Sequence, residues 1–458
     1  MGRQREIPLV INTSEQDISG SEALINVYPR ASTGGKYKFN LINTPGLAYF
    51  CELPTFPILG THENGNRAFA VTPTKFYEIF KNGNYKELGD VDLKGRGIMS
   101  DNGIQVVVVD GFKGFYYDTS LDEVIEIDDE GFYPARTVTY QDGYFLFERK
   151  DTGQFFISEL LSADFDANDF ASAEGQPDNL VAVLSDHREV FMFGTRTIEV
   201  WYNSGAGDFP FERNQSAFVE KGCAAPYSIA KQNNTVYFIG SDLMVYSMSG
   251  YTPIRVSTNI VEKTLKNVDL ADAFAYTYQE EGHLFYVLTI PANNITWSFD
   301  ISTGAWHIMK SYNFGRHQAD NSIFFGLKTL VGDFQSGRIF VMSNQYYTDD
   351  NEPIVREFVL PTLNNGREFL SIGSLEIDMS TGVGLTSGQG SDPIMLMQFS
   401  KDGGKTYSNY KEARIGKIGN YTQRVKWNRL GIARQFIFKI KTSEPIPIDI
   451  GGAFVEAR

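Results

Sequence analysis

At 458 residues the chain is longer than one ordinary core supports, so two or three domains are expected. It is 42% hydrophobic and 14% aromatic, with 35 Phe and 24 Tyr, which excludes a disordered chain and supplies large cores. A net charge of −15 argues against general affinity for phosphate backbones.

The start, MGRQREIPLVINTSEQ, has no apolar core of a signal peptide and lacks the residue pattern of a myristoylation signal. No apolar run approaches the length of a membrane span, so synthesis in the cytosol and no membrane insertion are expected. SEALINVYPR and LINTPGLAYF, within residues 1–60, read as an N-terminal arm and first strands. Cys51 and Cys223 are too few and too far apart for a disulfide framework, and no C-x-x-C spacing suggests a metal site.

From residue 61 strand-and-turn packets recur. AFAVTPTKFYEIFKNGNYKELGDV (68–91) alternates, turns at Asn82-Gly83 and alternates again; IQVVVVDGFKGFYYDTSLDEVIEI (104–127) repeats the plan around Asp110-Gly111. Further packets begin near Val138, Glu189, Thr235, His283 and Ile323. A spacing of roughly 35–50 residues is that of one four-stranded propeller blade. Seven packets predict an irregular β-propeller-like domain of six or seven blades over 61–363, in preference to a pair of sandwiches. Helical periodicity is confined to NIVEKTLKN, where Asn259 is the expected cap and Glu262 the return partner of a capping box.

After Pro361 the texture changes, and residues 364–458 predict a C-terminal β-sandwich with one hairpin of the Asp-box type. The fold class is therefore all-β. RVKWNRLGIARQFIFKIK (424–441) reads as two antiparallel strands with a basic outer face. Charge is uneven: residues 401–458 hold 12 Lys/Arg against 5 Asp/Glu, a balance of +7 that leaves −22 for the rest. A basic end beside an acidic body suits electrostatic docking; an ordinary solvated β surface is the other reading.

SKDGGKTYSN (400–409) fits the S-x-D-x-G-x-T-aromatic turn that sialidases repeat within their propellers. Here Asp402 is expected to accept backbone N–H groups, Gly403 and Gly404 to take positive φ, Ser400 and Thr406 to satisfy remaining groups, and Tyr407 to cover the turn. Each of these jobs is structural, and a single turn outside the packets is weak support for a sialidase-like glycan hydrolase. Asp128-Asp129-Glu130 and Asp349-Asp350-Asn351-Glu352 read as solvated turns, the second able to hold a calcium ion only loosely because it lacks EF-hand spacing. The five histidines show no metalloprotease spacing, no G-x-S-x-G is present, and DGGK lacks the spacing of a P-loop. Trp201, Trp297, Trp306 and Trp427 lie in strand-like runs and are expected in cores. No catalytic residue, cofactor or metal is expected, and the residues describe an acidic β protein that works by presenting surface.

Five long strings carry a resemblance: FDANDFASAEGQPDNLVAVLSDHREVFMFGTRTIEVWYNSG (165–205), FPFERNQSAFVEKGCAAPYSIAKQNNTVYFIG (209–240), YTPIRVST (251–258), SGRIFVMSNQYYTDDNEPIVREFVLPTL (336–363) and the run 399–453, together with NVYPR and TPGL. In order and spacing they resemble the packaged-DNA stabilisation proteins, the tail hub or nozzle, of short-tailed bacteriophages. The resemblance implies a non-enzymatic structural protein of the virion tail, assembled in the host cytoplasm. It implies a homo-hexameric ring below the portal and its adaptor, with tail fibres or spikes at the periphery and a distal needle or plug. Such a ring retains packaged DNA, then conducts it during ejection without sequence-specific binding. A propeller-type tail fibre or receptor-binding module is the alternative. Under this reading Lys417, Arg424, Lys426 and Arg429 on the basic unit, and Tyr346, Tyr347 and Phe358 near the boundary, are candidate interface residues.

Overall fold

A computed structural model describes residues 3–9, 24–32, 36–173, 175, 177–207, 209–366 and 368–458. Of the expected arm, residues 1–2, 10–23 and 33–35 lie outside this set.

Four-stranded antiparallel sheets begin at residues 60, 98, 138, 180, 230 and 274, and a seventh at 319 carries the two-residue strands Thr348–Asp349 and Glu352–Pro353 as an extra edge beyond its four main strands. Their first strands touch around a common axis: Gly60–Glu63 meets both Ile98–Asp101 and Ala319–Phe325, and Phe274–Glu280 meets Ala230–Gln232 on one side and Ala319–Phe325 on the other. The expectation of six or seven blades resolves to seven. The last blade contains only three strands from its own stretch, and Gly46–Glu52 supplies the fourth, antiparallel to Arg338–Ser343 with Leu47 opposite Met342. Ring closure therefore joins an early strand to a late one.

The middle strands form because apolar residues here are buried on both faces. Val106, Val107, Val108 and Val109 are all buried, alternate members packing toward different neighbouring sheets. Turns follow their residues. Asn82 Oδ1 accepts the Asn84 N–H at 3.0 Å. Gly83 has φ +84°, and a Cβ there would lie 2.8 Å from the Phe50 carbonyl oxygen. Asp110 is buried and its carboxylate takes the N–H groups of Lys94 and Phe112, at 2.6 and 2.8 Å, so one acid ties a turn to the neighbouring loop.

The helix spans Asn259–Leu265, but its cap differs from expectation. Thr258, not Asn259, is the N-cap, and no side chain caps it. Glu262 is buried and binds Arg255 Nε and Ser257 Oγ, both at 2.7 Å. A charged guanidinium and the buried Ser257 hydroxyl occupy the carboxylate in place of a backbone N–H, so the box never closes. All four tryptophans are buried, as are both free thiols.

The second unit is a sandwich. One sheet runs Val27–Ala31, Phe39–Asn43, Asp449–Ala457, Leu370–Met379 and Val425–Ala433, with Arg3–Ile7 also on Asp449–Ala457. The other runs Arg356–Val359, Gln435–Thr442, Ile394–Ser400 and Lys411–Arg414. Segment 1–60 thus divides between the two units, and the sandwich takes in 356–359 as well. The basic stretch 424–441 is not a hairpin: Val425–Ala433 pairs with Leu370–Met379 and Gln435–Thr442 with Ile394–Ser400. Trp427 and Leu430 on one strand, Phe436 and Phe438 on the next, share one core, so the chain crosses between layers at Arg434.

Candidate functional site

In a protein that presents surface, function rests on what is held rigid and what is exposed. Leu24 to Ala31 stitches propeller to sandwich. Ile25 exchanges backbone hydrogen bonds with Glu357 of the sandwich (2.8 and 3.0 Å), while the Asn26 N–H reaches the Ile308 carbonyl of blade six (2.8 Å). The buried Asn26 side chain donates to the Lys310 and Val355 carbonyls and accepts the Lys310 N–H, all at 2.8 Å. Its φ of +54° suits asparagine, whose short polar side chain tolerates the left-handed region. Two positions on, Tyr28 leaves the sandwich strand and enters the core of blades six and seven. Its ring stacks on His307 at 5.5 Å and meets Phe285 and His283 edge-on at 5.1 and 5.2 Å.

A second stitch contradicts the solvated-turn reading of 349–352. Asp349 is buried, and its carboxyl is pushed up to about 7 by burial, held back by the Ser311 hydroxyl at 2.8 Å and by the charge of Arg356. Arg356, only 1% exposed, donates to the Glu444 carbonyl at 3.0 Å and the Tyr347 carbonyl at 3.3 Å, tying the sandwich to the interdomain link. Burial pushes its own pKa down to about 10. The other two acids of the run do face outward: Asp350 pairs with Arg338 at 2.6 Å and Glu352 is exposed. Both Asn26 and this pair escape sequence reading, because an isolated Asn and one Asp in an acidic run carry no periodic signal.

The seam gives a pH dependence. Both His307 nitrogens are buried without a hydrogen-bond partner, and burial pulls the ring's pKa down to about 3. Unfolding below pH 6.5 lets the ring take a proton that the fold refuses. Its contribution is complete above pH 6.5 and is lost toward pH 3, on the order of 1 kcal/mol per pH unit. Buried Glu148 and Asp349, each pushed up to about 7 by burial, act with the opposite sign between pH 4 and 7. The test is therefore a difference. His307→Phe, which keeps the stack, should match or exceed the parent's Tm at pH 7 and pull further ahead at pH 5. A constant difference across that range would contradict it.

The turn of the hairpin 400–409 is bonded from within around Asp402, while the buried Tyr407 hydroxyl has no hydrogen-bond partner among the described residues. Asp402 Oδ1 accepts Ser400 Oγ (2.7 Å) and the N–H groups of Lys405 (3.0 Å) and Thr406 (2.9 Å), and Oδ2 takes the Thr406 hydroxyl at 2.6 Å. The Thr406 bonds lead in holding this carboxyl well below the usual carboxylate range. Gly403 and Gly404 have φ of +78° and +86°, and Lys439 Nζ lies 5.0 Å from the Tyr407 ring centroid. A carboxylate so occupied is not placed to donate a proton. Asp402→Ala should speed hydrogen exchange at the Lys405 and Thr406 amides and leave strands 435–442 protected; unchanged exchange at both amides would contradict the assignment.

The candidate interface cations do not form one cluster. Lys417 lies 4.0 Å from Asp392, which Arg414 approaches at 3.3 Å. Arg424 forks onto Glu376, and Lys426 stands opposite Glu376 in register. Arg429 is exposed at φ +60° and makes no ion pair among the described residues. Beside Lys417, Ile418 and Tyr421 are exposed by 59 and 74% in a turn that packs on Gly382. Their signal was apolar residues in a solvent-facing GKIGNY turn. Tyr346 is partly exposed and Tyr347 half-buried. Phe358 is corrected outright: it is 3% exposed, opposite Ile440 inside the sandwich core, and cannot meet a partner.

The family model described as bacteriophage P22 Gp10 β-propeller matches residues 7–347, and that described as P22 Gp10 β-sandwich matches 355–458. The tail hub protein gp10 of Salmonella phage P22 is 25% identical over 398 residues, spanning 80% of this chain and 81% of that one. Among solved structures, the β-propeller domain of Cps50 (Swd1) from Myceliophteria thermophila matches at 6% identity and TM-score 0.43, covering 65% of this chain and 99% of its own. BamB from Moraxella catarrhalis matches at 11% and 0.40, covering 74 and 98%. With both domain models matched in order over nearly its whole length, the chain belongs to the bacteriophage P22 Gp10 family of tail hub proteins.

Proposed function

We propose that this structural protein of the phage tail assembles as a closed ring of six beneath the portal and its adaptor, retains packaged DNA, and conducts it during ejection. The observation that carries the reading is the pairing of both family domains on one chain with a seam of buried hydrogen bonds between them. Such a seam makes each copy a stiff strut, which a closing ring of head-to-tail contacts requires. In this reading the subunit is non-catalytic. Fibres or spikes attach at the periphery, a needle or plug seats distally, and DNA passes without sequence-specific contact along an acidic wall that repels its phosphates.

The excess of positive charge over 401–458 is the docking end for an acidic surface on the adaptor or a neighbouring copy. Arg424 is already paired within the chain, so Lys417 and Arg429 carry more of that attraction than Arg424 does. Co-sedimentation of the chain with portal–adaptor complex tests this. Neutralising Lys417, Arg424, Lys426 and Arg429 together should weaken association, and 0.5 M salt should weaken the parent in the same way, since such salt screens beyond roughly 4–5 Å. Association indifferent to both changes would remove the electrostatic docking end.

A further inference from the structure

Where the inner strands begin, the propeller axis opens into a cavity of about 850 Å³ whose wall includes Arg96, Arg316, Phe274, Phe334 and Asp320. Arg96 precedes blade two, and its guanidinium lies 3.8 Å from the Phe274 ring centroid. It donates to Asp320 Oδ2 at 2.7 Å and to the Asp320 carbonyl at 3.1 Å. Arg316 precedes blade seven and lies 3.6 Å from the Phe334 centroid. Its nearest Asp320 oxygen is 3.9 Å away, beyond hydrogen-bond reach, and among the described residues its guanidinium has no closer acceptor. Two arginines thus share one carboxylate, with side chains only 17 and 11% exposed.

The remaining acids of the wall do not repair the imbalance at Arg316. Asp110 is occupied by backbone N–H groups, Asp151 by Arg136 and Asp269 by the Ala271 N–H, while Asp272 is the one acid of this wall without such a partner. Lys150, held over Phe112 at 4.2 Å, adds a further positive charge. A mostly buried guanidinium whose fork is unfilled matches the geometry of an oxyanion. Burial holds the Arg316 pKa below the usual guanidinium value and Arg96 adds to that, while the charges of Asp320 and Asp333 only partly offset it. The cavity is far larger than a lone ion needs, and its aromatic walls offer an organic body a surface to pack on.

We propose that this mouth of the propeller channel binds a carboxylate carried on an organic body, either a small polycarboxylate or an acidic peptide segment, with Arg316 as the principal anchor and Arg96 beside it. The site depends on the propeller alone and stands apart from the ring reading above.

Calorimetric titration of the full chain at constant ionic strength tests it, with citrate, a capped Asp-Glu peptide and inorganic phosphate as probes. Saturable one-to-one binding of citrate or the peptide is expected, and which of them binds tighter tells the small polycarboxylate from the peptide. Arg316→Gln should weaken binding by tenfold or more, since it removes the charge-assisted hydrogen bonds to the carboxylate. Arg316→Lys keeps the charge over Phe334 but loses the fork, and should fall between the two; it also serves if the glutamine variant does not fold. No saturable heat with any probe, or equal binding by parent and Arg316→Lys, overturns the site. Phosphate binding as tightly as either carboxylate overturns the assignment to a carboxylate.

Discussion

Replacing Arg356 with Met should lower the stability of the folded chain by about 2–5 kcal/mol at pH 8, from two carbonyls left without a donor at roughly 1–3 kcal/mol each and a buried carboxylate left without a nearby cation. Methionine fills most of the space, so the loss is electrostatic. The Glu444 and Tyr347 carbonyls lose their donor, and Asp349 is left buried without the cation that draws its pKa down. The sign with pH follows. A carboxyl whose folded pKa is raised stabilises fully below its unfolded value and loses that contribution as pH climbs through the folded one. Removing Arg356 raises the folded value further, so the penalty should shrink from pH 8 to pH 5, where Asp349 is protonated and neutral. The double variant Asp349→Asn with Arg356→Met should recover much of the loss, because neither charge then remains. Urea unfolding at the two pH values reads all of this. A cost under 1 kcal/mol at pH 8 would mean that water already reaches the pair.

Asn26→Ala is the second large effect, and its consequence is mechanical as well as energetic. The carboxamide serves three backbone groups, and losing it leaves the Lys310 and Val355 carbonyls and the Lys310 N–H unpartnered at about 1–3 kcal/mol each. Alanine at φ +54° adds roughly 1–2 kcal/mol. Because one side of these bonds belongs to blade six and the other to the sandwich edge, the variant should uncouple the units. The expected calorimetric result is one transition becoming two. Asn26→Gly separates the causes: it removes the φ strain and keeps the bonding loss, so it should split the transition nearly as well. A single unbroken transition in both variants would show that Tyr28 and the strand Val27–Ala31 hold the joint unaided.

The architecture was legible where burial is two-sided. Gln105–Val109 and Lys75–Ile79, packed between neighbouring blades, read as apolar runs around Gly-containing turns, and seven such packets matched seven blades. Outer strands such as Tyr85–Asp90 and Thr252–Arg255 are largely exposed and carry no apolar pattern. Blade four begins at Leu180, nine residues before the packet noticed at Glu189, for a related reason: its first strand faces the axis and alternates irregularly. Closure by Gly46–Glu52 was hidden because a strand's partner nearly 300 residues away leaves no local trace. At the seam the same limit applies. Phe358 reads as surface because it is an aromatic outside the packets, and Asp349 because it stands in an acidic run, whereas their surroundings are the sandwich core and Ser311 from the turn after blade six. The turn at 400–406 was the opposite case, since every side-chain bond Asp402 makes is local and its residues name their own partners.

Mass by light scattering of the chain, alone and then mixed with portal–adaptor complex, tests the tail-hub ring most directly. Six copies joining each complex is the expected result, whether or not the free chain is a monomer. A chain that stays monomeric and leaves the complex unchanged would contradict it.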